Sequence, residues 1–106
     1  MDYVYFENLL DEGRDVPEGG ILSRTLHDDD RVRVVLFSFA PGEELSEHTS
    51  THAAVLQFIG GEADVTVGGD AISAQAGTFI HMIPNLPHSI RARTPVVMLL
   101  MMLKAS

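Results

Sequence analysis

The chain has 106 residues, 45% hydrophobic and 21% charged, which sets it as one globular domain over residues 1–106 and excludes a disordered chain. It has no cysteine, so disulfides and thiolate metal ligands are excluded, and no apolar run of 18 residues, so a membrane-spanning helix is excluded too. Fifteen acidic residues against seven basic give a net charge of −8, which argues against nucleic acid or an anionic membrane surface as partner.

The opening Met-Asp-Tyr-Val-Tyr-Phe-Glu lacks a basic stretch and a small-residue cleavage site, so no secretory leader and a cytoplasmic location are expected. Residues 3–12 carry Val4, Phe6, Leu9 and Leu10 and are expected to form a short helix or an irregular arm. Gly13, Pro17, Gly19 and Gly20 then break the chain. Strands are predicted over Ile21–Leu26 and Val32–Phe39, separated by the acidic turn Asp28-Asp29-Asp30, with Pro41-Gly42 closing the second. Residues 43–52 are polar and read as a loop bearing two histidines.

Further strands are predicted over Ala53–Ile59, Ala63–Val67, Ala71–Ala74, Thr78–Ile83, His88–Arg93 and Val96–Leu103. Gly60-Gly61, Gly68-Gly69-Asp70, Gly77 and Pro84-Asn85-Leu86-Pro87 supply the turns. About eight short strands with turn signals every eight to twelve residues indicate an all-β sandwich or barrel. Met82, Met98, Met101 and Met102 lie in strand segments and read as core filling.

Histidines carry the only candidate chemistry. Of the five, His48 and His52 precede one predicted strand and His88 opens another. Strand starts of an antiparallel barrel can face each other across its interior, where one ion or one small ligand fits. His81 stands in the apolar run Phe-Ile-His-Met-Ile and reads as a core or cavity-lining residue, while His27, beside three aspartates, reads as a solvated turn residue. No nucleophile elbow, phosphate loop or dinucleotide fingerprint is present.

Residues 36–103 resemble the cupin superfamily, in particular its small single-domain, cupin-2-like conserved barrels. The first cupin motif, G-x5-H-x-H-x3,4-E-x6-G, is matched by Gly42, His48 and Gly61. The second, G-x5-P-x-G-x2-H-x3-N, is matched by Gly77 and His88, with Pro84 one residue late and Asn85 in the glycine slot. Ser50 stands in the second histidine slot, Ala54 in the glutamate slot and Ala92 in the asparagine slot. The resemblance implies a double-stranded β-helix, or jelly-roll, barrel with a metal site inside it.

On that reading the candidate ligands are His48, His52, His88 and Gln57. His52, two residues past its slot, takes the second ligand position if the loop 49–52 is arranged differently, and Gln57 offers an amide oxygen. Gln57 alternates against Ala54, Leu56 and Phe58, so it reaches the interior only through a bulge or if Val55, Gln57 and Ile59 form the inward face. Imidazole and amide donors suit a divalent transition metal: Fe, Mn, Ni, Cu or Zn.

Cupin metal sites imply dioxygenase, isomerase or lyase chemistry on a small organic substrate, with His81 or Glu47 as the residues to test as proton carriers. The alternative is a metal-free barrel that binds a small ligand or another protein without catalysis. The N-terminal segment and the first strand read as a pairing edge. Single-domain cupins commonly dimerise through such strands, so a homodimer is expected.

Overall fold

The computed structural model describes residues 2–13 and 18–104; Arg14 and Pro17 lie outside the described residues. Among the described residues, nine strands and one short helix follow in order: α1 (Leu9–Glu12), β1 (Ile21–Asp28), β2 (Val32–Phe39), β3 (Glu44–His48), β4 (Ala53–Gly60), β5 (Glu62–Val67), β6 (Asp70–Gln75), β7 (Phe79–Met82), β8 (His88–Ala92) and β9 (Val96–Leu103). The eight strands expected from sequence are present. The ninth, β3, forms inside the stretch expected to be a polar loop. Only Leu45 of β3 turns away from solvent, so its sequence carries no apolar alternation to mark it.

The strands make two antiparallel sheets, in the orders β1-β2-β9-β4-β7 and β3-β8-β5-β6. They face each other across one core to which both contribute: Phe39, Leu56, Phe58 and Met98 from the first, Val65 and Ile90 from the second. This is the all-β jelly-roll barrel. Strand parity sorts every side chain onto one of two faces. On β4, Ala54, Leu56 and Phe58 enter the core, which sends Val55 and Gln57 to the outer face. Among the described residues no helix is long and apolar enough to cross a membrane.

One turn of helix, α1, packs on that outer face at one end of the barrel. Asn8 caps it, its side-chain oxygen accepting from the Leu10 N–H at 3.0 Å. Ser38 Oγ donates to the Gly13 carbonyl at 2.9 Å, a buried bond that ties the arm to β2. Gly13 lies so close to β9 that a Cβ there would sit 2.8 Å from the Val97 side chain.

Two turn positions explain the glycine pattern. Gly61 has φ +88°, and a Cβ on it would meet the Pro95 carbonyl oxygen at 2.0 Å, so both conformation and space demand glycine. Asn85, in the motif's other glycine slot, has φ +66°, the left-handed region that asparagine tolerates better than most residues.

Candidate functional site

His88 is the first residue of β8 and shares its inward face with Ile90 and Ala92; it is only 5% exposed. Its β5 neighbour is Val67, and its β3 neighbour is His48. His48 reaches this position through a β-bulge. Leu45 pairs with Ile90 and His48 with His88, so Ser46 and Glu47 together oppose Ser89 alone. In a regular strand His48 would point away from the face that Leu45 occupies. The extra residue turns it back to that face, beside His88.

The two rings meet edge to face, centroids 4.2 Å apart and planes at 60°. Each is oriented by the carbonyl two residues before it. His48 Nδ1 lies 2.8 Å from the Ser46 oxygen, and His88 Nδ1 lies 2.9 Å from the Leu86 oxygen. A carbonyl only accepts, so each Nδ1 carries the hydrogen and donates it. A neutral ring so fixed keeps its lone pair on Nε2, the arrangement of an imidazole set up to bind a metal or to accept a proton. Both orienting groups are main-chain atoms, so residue types give no sign of them.

The surrounding loops are tied together. Asn85 N–H donates to the Ser50 carbonyl at 2.7 Å, joining the loop 49–52 to the turn 84–87, and Gly68 N–H donates to the Pro87 carbonyl at 2.8 Å. His52 is half-buried in that loop, its N–H donating to Ser50 Oγ at 3.2 Å.

The remaining candidates fall elsewhere. Among the described residues no three His, Asp or Glu side chains gather closely enough to hold a metal ion, so His52 does not join the pair as a third ligand. Gln57 lies on the outer face of the five-stranded sheet, between Leu99 and Phe79. His81 pairs with Val55 on the same outer face and is exposed. Parity separates both residues from the imidazole pair by the thickness of the sheet. Ala54 and Ala92, in the glutamate and asparagine slots, are buried in the core cluster at 3% and 1% exposure.

His27 is not a turn residue as expected: it lies near the end of β1, pairs with Val34 across the sheet and is half-buried. Its Nε2 lies 2.7 Å from Asp29 Oδ2. That hydrogen bond, reinforced by the N–H groups of Arg31 and Val32, holds the Asp29 carboxyl well below the usual carboxylate range. Among the described residues, recesses of about 280, 350 and 490 Å³ open on the surface away from His48 and His88.

Comparison with known proteins fits this geometry. The cupin-domain family model matches residues 35–102. A conserved protein of unknown function from Streptococcus pyogenes is 25% identical, with a TM-score of 0.87 covering 100% of this chain and 92% of that one. A cupin-superfamily protein from Desulfitobacterium hafniense is 28% identical, with a TM-score of 0.81 over 86% of this chain and 84% of that one. A cupin 2 conserved barrel domain protein from Leptotrichia buccalis is 28% identical, with a TM-score of 0.80 over 89% of this chain and 46% of that one. No curated protein matches the chain in sequence. With the barrel, the motif glycines and the paired histidines all in place, the chain belongs to the cupin family.

Proposed function

We propose that this small cupin binds a divalent transition metal, one of Fe, Mn, Ni, Cu or Zn, at the edge of the barrel where the exposed His48 meets the buried His88, through the Nε2 atoms of both. The observation that carries this reading is the common treatment of two adjacent rings: each donates Nδ1–H to a carbonyl, which leaves Nε2 of each ring free to ligate. Such a donor set fits a divalent metal but does not saturate it. The other two ligand slots hold Ser50 and Ala54, so the protein offers no carboxylate there and the remaining positions fall to water or to oxygen atoms of a small organic ligand. A metal so held would act as a Lewis acid on that ligand.

The test is a titration of metal-stripped protein with each of the five ions, followed by calorimetry and metal analysis. One ion per chain is expected. His48→Ala combined with His88→Ala should weaken binding by about 100-fold or more, because both protein donors are gone. His81→Ala and Gln57→Ala should leave it unchanged. A second reading, favoured by Ala54 in the glutamate slot, is a metal-free pocket for a small ligand. Wild-type protein that binds none of the five ions would discard the first reading and leave the second.

A further inference from the structure

Ala54 stands in the slot of the motif's glutamate, and among the described residues no third His, Asp or Glu takes that part beside His48 and His88. Two methionines flank it. Ala54 of β4 is registered with Met82 of β7 on one side and with Met102 of β9 on the other. Met82 shares the core cluster with Ala54, and Met102 follows Met98 and Leu100 on the inward side of β9. Residues opposite each other on neighbouring strands have Cβ atoms about 4.5–5.5 Å apart, so a thioether from either side reaches the space above the Ala54 methyl. Met101 is on the other side of β9, paired with Val34 and Val55.

The methionines and the imidazoles occupy the same end of the barrel. Residues 49–52 carry the chain from His48, the last residue of β3, to β4, and residues 83–87 carry it from Met82, the last of β7, to His88, the first of β8. These two crossings are tied to each other by the Asn85 N–H and the Ser50 carbonyl. His48 and His88 therefore enter this end from the four-stranded sheet, and Met82 and Met102 from the five-stranded one. Facing sheets pack about 10 Å apart, a gap that an imidazole from one wall and a thioether from the other close between them. Met82 and His88 are both buried, at 1% and 5% exposure.

We infer that the metal site proposed above, on which this reading rests, selects copper and retains it as Cu(I), with the thioethers of Met82 and Met102 joining the two Nε2 donors. Softness and charge decide the choice. Thioether sulfur is a soft donor that favours Cu(I), whereas Mn and other hard divalent ions favour the carboxylate that Ala54 replaces. Neutral imidazoles and thioethers bring no negative charge, which a monovalent ion needs least. Around a divalent ion such as Zn²⁺ the two methionines remain apolar filling, and water keeps the open positions. Loss of the glutamate is on this reading a change of preference and not only a loss of affinity.

The whole chain is titrated with Cu(I), kept reduced by ascorbate under argon and competed against bicinchoninate, and separately with Zn²⁺. Wild type is expected to take one Cu(I) per chain, at least about 100-fold more tightly than Zn²⁺, and X-ray absorption at the copper edge should show sulfur beside nitrogen. Met82→Leu with Met102→Leu should remove the sulfur signal and weaken Cu(I) about 100-fold, while Zn²⁺ binding stays within about threefold of wild type. Leucine nearly keeps the volume of methionine, so the fold should hold. Should the double variant not fold, Met102→Leu alone, at a half-buried position, gives the same reading. Met101→Leu should change neither ion. Zn²⁺ bound through His48 and His88, beside Cu(I) without a sulfur neighbour, overturns the inference and leaves the metal site standing. An equal loss of both ions in the methionine variants also overturns it, since packing alone would then explain the effect. Wild type that binds neither ion overturns the inference and the metal site together.

Discussion

The two sheets of the barrel are built by different rules. At the centre of the five-stranded sheet β2 and β9 pair without interruption from Val32–Leu103 to Phe39–Val96, and the register shifts of this sheet, at Thr25/His27 of β1 and Phe58/Gly60 of β4, fall towards the strand ends. Its inner face supplies Phe39, Leu56, Phe58, Val96 and Met98 to the core. The four-stranded sheet is built of strands of five or six residues, and its edge strand β3 is bulged where it meets β8. The imidazole pair stands on that irregular edge. The larger sheet provides a fixed wall through apolar burial; the bulged edge of the smaller one places two polar rings by a single extra residue and two carbonyls. Scaffold and site are thus separable, and substitutions should affect one without the other.

The largest expected effect is on the scaffold. Phe58 is fully buried at the centre of the core. Phe58→Ala removes its packing and leaves a cavity, at a cost of about 3–5 kcal/mol. With each kcal/mol worth about 4–8 °C in a domain of this size, Tm should fall by more than about 10 °C. Urea unfolding of the two proteins checks this. The orienting bonds of His48 and His88 are remote from that cavity in kind, being local to β3 and the turn 84–87. Wherever the variant remains folded, its metal affinity should therefore stay within about threefold of wild type.

The converse effect is smaller in energy and confined to the site. Deleting Glu47 would make β3 a regular strand. Leu45 and His48 would then be two residues apart and still share the inward face, but Ser46 would directly precede His48 and its carbonyl could no longer take the Nδ1–H. The fold should survive with stability within about 1 kcal/mol of wild type. Loss of an orienting partner of a metal-binding histidine costs about 10–100-fold in affinity, and binding of Zn²⁺ should weaken by that factor. Nitrogen NMR of the His48 ring gives a second readout, since the preference for the Nδ1–H form should disappear. Unchanged affinity and an unchanged ring tautomer would mean that the bulge carbonyl does not orient His48.

The same contrast governs what could be read from the sequence. The central strands of the five-stranded sheet were legible, because Val32–Phe39, Ala53–Ile59 and Val96–Leu103 are apolar runs bounded by glycine and proline. The jelly-roll fold was legible through Gly42, Gly61 and Gly77, whose positive φ values show why glycine stands there. Asn85 takes the place of a fourth glycine because it too sits at positive φ. The irregular edge was not legible. Four of the five residues of β3 are exposed, so no period marks it as a strand, and counting from Leu45 would have turned His48 outward. The direction of Gln57 was open until Leu56 and Phe58 were found in the core. The Ser46 and Leu86 carbonyls had no signal at all, since any residue type supplies a carbonyl.

The smallest expected effect lies in the β1–β2 turn, where charge does the work that the bulge does at the site. Asp29 Oδ2 meets His27 Nε2 at 2.7 Å, while Oδ1 accepts from Arg31 N–H at 2.7 Å and Val32 N–H at 2.9 Å. Asp28 accepts from Lys104 Nζ at 2.5 Å, which joins the turn to the end of β9. Both carboxyls are depressed, Asp29 chiefly by His27 and Asp28 chiefly by Lys104. A carboxylate depressed on folding adds stability above its unfolded value, near about 3.9, and that stability is lost as pH falls through the folded value. Tm should therefore decline on acidification below about pH 4. Asp29→Asn should make that decline shallower, because the amide keeps the turn's shape but does not titrate. Both groups are exposed, so the change should be modest and reduced by salt. Melting curves from about pH 2 to pH 5 for the two proteins decide it. Equal acid slopes would mean that the acid sensitivity of the fold arises from other carboxyls and that the Asp29 turn owes its form to backbone geometry alone.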